Sequence, residues 1–134
     1  MGTQKIKEML TSYKRIAVVG LSADAGKPSH EVAAYMQRAG YLIIPVNPAC
    51  REVLGEKCYP TLADVPGEVE IVDVFRRSEF LPEIVEQAIA KGAKVVWMQE
   101  GVVNEAAAAR AEAAGLAVVM DRCILKEHHK LVQR

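Results

Sequence analysis

Neither sign of charge predominates in this chain of 134 residues: 17 Lys and Arg stand against 17 Asp and Glu, for a formal net charge of zero. Proteins that neutralise many nucleic-acid phosphates need a large cationic excess, so a nucleic acid is not an expected partner and any positive field must be local to one site. Long apolar runs are missing as well. Leu42 to Val46 and Val95 to Met98 are strand-sized, far short of the roughly 20 residues a membrane helix needs. The opening Met1-Gly2-Thr3-Gln4-Lys5-Ile6 has no signal-peptide apolar region, and Ile6 stands where a myristoylation motif wants Ser or Thr. Cysteine is scarce, with Cys50, Cys58 and Cys123 forming no CxxC pair. That excludes a disulfide framework and a zinc spacing, suits a reducing compartment, and leads to the expectation of a cytoplasmic protein without a metal site. What remains is 51% hydrophobic and 25% charged, enough to bury one core and fold alone.

Five apolar, β-branched runs recur along the chain: Ile16 to Val19, Leu42 to Val46, Ile71 to Phe75, Val95 to Met98 and Ala117 to Met120. They are continuous rather than alternating, as strands covered on both faces require. Helical periods lie between them. Val32, Met36 and Ala39 share one face, and Leu81, Ile84, Val85, Ala88 and Ile89 make a fuller stripe, while Ser29 and Asn104 stand at N-cap positions. Gly40, Gly92 and Gly115 each separate a helix from the next strand, where glycine accepts a left-handed conformation. Ile6, Met9, Leu10 and Tyr13 predict an extra helix beneath the first strand. Cys50 to Pro66 reads as a loop with at most a short helix around Leu62. Alternating strands and helices predict a single α/β domain over residues 1–134, Rossmann-like, with a doubly wound five-stranded parallel sheet in a three-layer α/β/α arrangement. Ligands of such sheets bind outside the carboxyl ends of the strands.

After the first strand, Gly20-Leu21-Ser22-Ala23-Asp24-Ala25-Gly26-Lys27-Pro28-Ser29 leads into a helix N-terminus. It reads either as an anion cradle or as an ordinary tight turn. It is not a Walker A loop, because five residues separate Gly20 from Gly26 and Pro28 follows Lys27; it also departs from GxGxxG at Ser22. The second strand runs into Pro45-Val46-Asn47-Pro48 with Arg51 nearby and no carboxylate, which suits a phosphorylated adenosine better than a bare ribose diol. Phe75-Arg76-Arg77 brings a ring and two guanidinium groups to the end of the third strand, a combination that pairs with phosphate and stacks on purines. Asp24, Glu52, Glu79 and Glu100 make the rim field patchy.

The series AVVGLS, GYLIIPVNP, VDVFRRS, VVWMQEGV and VVMDRC, over roughly residues 12 to 128, resembles the stand-alone CoA-binding protein family, related to the N-terminal CoA-binding domain of the succinyl-CoA synthetase α subunit. The resemblance implies a Rossmann-like domain that binds coenzyme A. Its pyrophosphate is expected at Gly20-Leu21-Ser22-Ala23 and its adenosine near Asn47 and Pro48, with Phe75, Arg76 and Arg77 closing over the nucleotide. Lys27 and Arg51 join this set on charge alone. The synthetase's phosphorylated histidine belongs to a second domain, so a complete ligase reaction is not implied.

Catalytic groups are sparse. His30 opens a helix and reads as a surface residue, and Lys126-Glu127-His128-His129-Lys130 reads as a solvated helix end. Cys50 reads as an incidental thiol, although it could approach a bound thiol, and Cys123 reads as a small core residue. The expectation is a module that holds CoA or acyl-CoA without independent catalysis, as a carrier or a sensor. The alternatives are an NADP-dependent oxidoreductase of the same fold, or a subunit-like partner of an acyl-CoA ligase. A homodimer is compatible with all three.

Overall fold

The computed structural model describes residues 2–132; Met1, Gln133 and Arg134, which the expected 1–134 domain includes, lie outside the described residues. In chain order the elements are α1 (Thr3–Ser12), β1 (Arg15–Val19), α2 (Pro28–Arg38), β2 (Leu42–Val46), β3 (Glu52–Val53), β4 (Glu56–Lys57), β5 (Ile71–Val74), α3 (Leu81–Lys91), β6 (Val95–Met98), α4 (Glu105–Ala113), β7 (Ala117–Val119) and α5 (Ile124–Leu131). The main sheet has five parallel strands in the order β2-β1-β5-β6-β7. The order reverses between β1 and β5, which places the ligand-binding crevice of this topology at the carboxyl ends of those two strands.

The two faces of the sheet follow from strand alternation. Ala17, Val19, Ile44, Val72, Val74, Val96 and Met98 look toward α3 and α4, which contribute Leu81, Val85, Ala88 and Ala111. Ile16, Val18, Ile43, Ile71, Val95 and Trp97 look toward α1, α2 and α5. This is the expected three-layer α/β/α arrangement. Ile6, Met9 and Leu10 of α1 are buried in the second layer, so the amphipathic segment packs where its stripe predicts. The three helix-exit glycines all adopt positive φ. Among the described residues no helix is long and apolar enough to cross a membrane.

Three local expectations need correction. Ser29 is not an N-cap: α2 starts at Pro28 with Lys27 as its cap residue, and the Ser29 hydroxyl instead accepts a bond from the Ser22 N–H (3.0 Å). Asn104 does cap α4, accepting from the Ala107 N–H (2.9 Å). The segment Cys50 to Pro66 is not only loop, because β3 and β4 pair antiparallel and Tyr59 then bridges to Val46 at the sheet's edge. A short 3-10 turn follows at Leu62–Asp64, closed by a capping box between Thr61 and Asp64.

The third correction concerns α5, whose charged sequence hides a buried face of Ile124, Glu127 and His128. His128 is 4% exposed, shares a 2.9 Å hydrogen bond between its Nδ1 and the Tyr35 hydroxyl, and meets the rings of Tyr35 and Tyr41 edge-on. Burial holds its imidazole below the ordinary value, with Lys14 and His129 pushing the same way. A depressed histidine contributes stability that is present above its unfolded pKa of about 6.5 and lost as pH falls through the lower folded value. The thermal midpoint should therefore drop more on acidification from about pH 7 to pH 5 in the wild type than in His128→Gln. Parallel melting curves of the two proteins across that range would contradict the assignment.

Candidate functional site

Three segments meet at the carboxyl ends of the strands next to the switch point: Gly20 to Lys27 after β1, Asn47 to Arg51 after β2, and Phe75 to Arg77 after β5. Gly20 is where the first and third touch. Its φ is +89, and a Cβ added there would stand 2.4 Å from the Phe75 carbonyl oxygen and 3.0 Å from Arg76 Cδ. Glycine is required here by the approach of two protein segments, with the Gly20 N–H donating to the Val46 carbonyl (2.8 Å).

The loop that follows is organised by its own polar groups. The Ser22 N–H donates to Ser29 Oγ, the Asp24 N–H to Ser22 Oγ (3.0 Å), and the Gly26 N–H to the Asp24 carboxylate (2.9 Å). His30, expected at the surface, instead donates from Nδ1 to the Ser22 carbonyl at 2.9 Å. Several amides of the expected anion cradle are thus held by Ser29, Ser22 and Asp24. Leu21 is fully buried, so it offers the site only its backbone.

Asn47 acts as a tie. Its Nδ2 donates to the Leu21 carbonyl (2.9 Å) and its Oδ1 accepts from the Ala49 N–H (2.9 Å). The Asn47 carbonyl accepts from the Cys58 thiol at 3.7 Å, and burial raises that thiol's pKa, helped by the neighbouring Cys50. The side chain therefore binds the exit of β2 to the loop after β1. Pro48 is exposed at the mouth of the crevice, and Lys27 and Arg51 are exposed beyond it. Among the described residues neither Lys27 nor Arg51 enters an ion pair.

Phe75 and Arg76 part to opposite sides of the sheet. Phe75 packs on the layer of α2 and α5. Arg76 lies with its guanidinium carbon 4.2 Å from the centre of the Phe80 ring, on the α3 side. Arg77 is exposed, 5.5 Å from the same ring, and pairs with Glu79 (3.3 Å). Phe80 was not among the expected site residues. Its spacing in Phe75-Arg76-Arg77-Ser78-Glu79-Phe80, one helical turn beyond Arg76, is the signal that would have found it.

The crevice has two hollows as a result. One of about 220 Å³ lies on the α3 side among Pro48, Thr61, Leu62, Arg76, Phe80 and Glu83. The other, about 270 Å³, lies on the α2 and α5 side among Pro28, Val32, Phe75, Gln99, Val102 and Cys123. Cys123, expected in the core, is 8% exposed and faces this second hollow. Its position is fixed by the exits of β6 and β7: Trp97 Nε1 donates to the Arg122 carbonyl (2.8 Å) and the Ile124 N–H to Gln99 Oε1 (3.0 Å). Each hollow is smaller than the roughly 300–1,000 Å³ of a pocket for a drug-sized ligand. Among the described residues no three His, Cys, Asp or Glu side chains stand together as a metal site.

Within β5 itself, Asp73 is 1% exposed. It pairs in register with Val18 and Trp97, one step deeper than Phe75 and Gln99 on the same face. Its Oδ1 has no hydrogen-bond partner, and burial pushes its carboxyl well above the usual carboxylate range.

Comparison with known proteins sets this geometry in context. Residues 14–129 match the family model described as "CoA binding domain". The chain is similar to the uncharacterised protein YneT of Bacillus subtilis, 48% identical over 124 residues and covering 92% of each chain. It is 34% identical over 83 residues to an ADP-forming acetate–CoA ligase of Archaeoglobus fulgidus, a match spanning 60% of this chain but 12% of that protein. Among solved structures, a hypothetical protein from Pyrococcus horikoshii superposes with a TM-score of 0.96 at 45% identity, over 98% of this chain and 93% of that one. A dinucleotide-forming acetyl-coenzyme A synthetase of Ca. Korarchaeum cryptofilum superposes with a TM-score of 0.75 at 25% identity, over 85% of this chain and 27% of that one.

Proposed function

The chain belongs to the CoA-binding domain family, and from that premise we propose that it binds coenzyme A or an acyl-CoA across the carboxyl ends of β1, β2 and β5, as a module that carries or senses the ligand. The observation that carries this reading is the pair of hollows flanking the switch point, one lined by Arg76 and the other by Phe75, with the close approach of Gly20 to these two residues between them. An elongated ligand with a flat base at one end and a thin arm at the other fits two small hollows better than one compact metabolite does. The adenosine end goes to the α3 side, between Pro48 and Arg76. The phosphates lie over Gly20 to Ala23, near α2, and the pantetheine arm passes Phe75 toward Gln99 and Cys123.

Arg76 is the residue best suited to the nucleotide. Its guanidinium is steadied by the Phe80 ring and engages in no ion pair among the described residues. Lys27 and Arg51 add positive charge at the rim, against Asp24 and Glu83. The ligase relatives extend far beyond the matched region, so their reaction is not assigned to this chain.

Calorimetric titration of the nucleotide-stripped protein with CoA, dephospho-CoA, NAD and NADP tests the reading. Saturable CoA binding is expected, weaker for dephospho-CoA. Arg76→Ala should weaken CoA by about 10- to 100-fold, the loss of one charge-assisted contact. Heat from NADP with none from CoA would overturn the proposal in favour of a redox enzyme.

A further inference from the structure

Cys50 and Cys58 flank the hairpin of β3 and β4, and both reach the same atom, the Asn47 carbonyl oxygen. We propose that this pair is a reversible dithiol–disulfide centre, a modification site that exchanges with the disulfides of low-molecular-weight thiols. The inference stands on the hairpin and does not depend on the CoA reading above.

Three observations place the two thiols together. The hairpin register is fixed: Glu52 stands opposite Lys57, and Leu54 and Gly55, both at positive φ, close a two-residue turn. The next rung is the Cys58 N–H donating to the Arg51 carbonyl at 2.8 Å, so Cys58 lies across from the residue that follows Cys50. Second, the Asn47 carbonyl accepts from the Cys50 N–H at 3.4 Å and from the Cys58 thiol at 3.7 Å. That shared acceptor folds the approach to β3 back over the end of β4. Third, both side chains enter one apolar layer, Cys58 buried within it and Cys50 half-buried against it. The raised pKa of Cys58 agrees with this placement, because after burial its largest cause is Cys50, in part through a hydrogen bond between the two side chains.

The two thiols have unequal roles. Cys58 is 6% exposed and burial holds its thiol protonated, so Cys50 is the one that a small disulfide reaches. The Cys50 sulfur attacks one sulfur of that disulfide, whose S–S bond breaks, and the Cys50 proton leaves on the first released thiol. The Cys58 sulfur then attacks the Cys50 sulfur and expels the second small thiol, which takes the Cys58 proton. One small disulfide is reduced to two thiols while two protein thiols become one disulfide, and an excess of small thiol reverses the sequence. Closing the bridge removes the S–H that donates to the Asn47 carbonyl, so the change is felt at the residue whose side chain holds the loop after β1.

The test treats the fully reduced protein with oxidised glutathione, alkylates the remaining thiols with iodoacetamide in denaturant, and reads intact mass and a peptide map. The expected result is one alkylated cysteine, Cys123, with the Cys50 and Cys58 peptides joined, and all three cysteines alkylated again after excess reduced glutathione. Cys58→Ser should stop at a single glutathione on Cys50, and Cys50→Ser should leave Cys58 reduced. Circular dichroism shows whether each variant is folded; where one is not, the peptide map of the wild type decides. A glutathione that stays on Cys50 in the wild type, a bridge that includes Cys123, or three alkylated cysteines after the oxidising treatment overturns the proposal.

Discussion

Gly20→Ala is expected to cost the fold roughly 2 to 5 kcal/mol, from left-handed strain at a non-glycine residue added to overpacking against backbone. The figure follows from two facts. The φ of +89 is one that L side chains rarely adopt, and the new methyl group would stand 2.4 Å from the Phe75 carbonyl oxygen, an atom that cannot swing aside. Relief requires the loop after β1 and the segment after β5 to separate. Arg76, whose Cδ is the next atom met, would lose its place over Phe80, so CoA affinity should fall further than in Arg76→Ala. Thermal melting checks the first effect, with a drop of at least several degrees for a domain of this size, and calorimetry checks the second. A variant that melts within a degree of the wild type would show that the two segments do not need this contact.

Asp73→Val should have the opposite sign. An unsatisfied polar group in the interior costs about 1–3 kcal/mol, and burial is the sole cause of the shift at Asp73. The folded pKa is raised, so the folded chain holds its proton more tightly than the unfolded one. That contribution is full below the unfolded value of about 4 and falls by about 1.4 kcal/mol per unit as pH rises toward the folded value. Asp73→Val, and Asp73→Asn to a smaller degree, should therefore be more stable than the wild type at neutral pH, with the advantage shrinking in acid. His128 changes stability in the opposite direction over part of this range, so the comparison has to be made between proteins at each pH. Denaturant midpoints of the three proteins at several pH values decide it; an advantage that does not depend on pH would show that the carboxyl is not held protonated.

The sheet was legible because its signals are local. Continuous runs such as Ile71 to Val74 and Val95 to Met98 identify strands covered on both sides, and the glycine exits bound the helices between them. The hairpin of β3 and β4 was not legible, since two-residue strands carry no period and depend on Tyr59 reaching Val46 across the chain. The burial of His128 had a signal obscured by charge. Ile124, His128 and Leu131 recur at i, i+4 and i+7, the spacing of a buried face, within a run dominated by Lys and Glu. In the candidate site, the glycine loop and the arginines stand out by composition, but their neighbours do not. Strand alternation already sends Phe75 and Arg76 to opposite faces, and that reading would have separated the two hollows. The tie from Asn47 to Leu21 and the bond from His30 to Ser22 are products of tertiary placement and leave no trace in the sequence.

The bridge from Tyr59 to Val46 bears on how copies of the molecule meet. An outer strand of a sheet offers unpaired backbone groups to any other strand, the usual route to edge-to-edge aggregation. Here β2 carries Pro45, which has no N–H to give, and its carbonyl already accepts from the Tyr59 N–H, while the Tyr59 carbonyl accepts from Asn47. The opposite border, β7, is only three residues long. Both margins are poor templates for extending the sheet, which leaves helix faces and loops better suited to self-association and the candidate crevice at the strand tips clear of strand-to-strand contact.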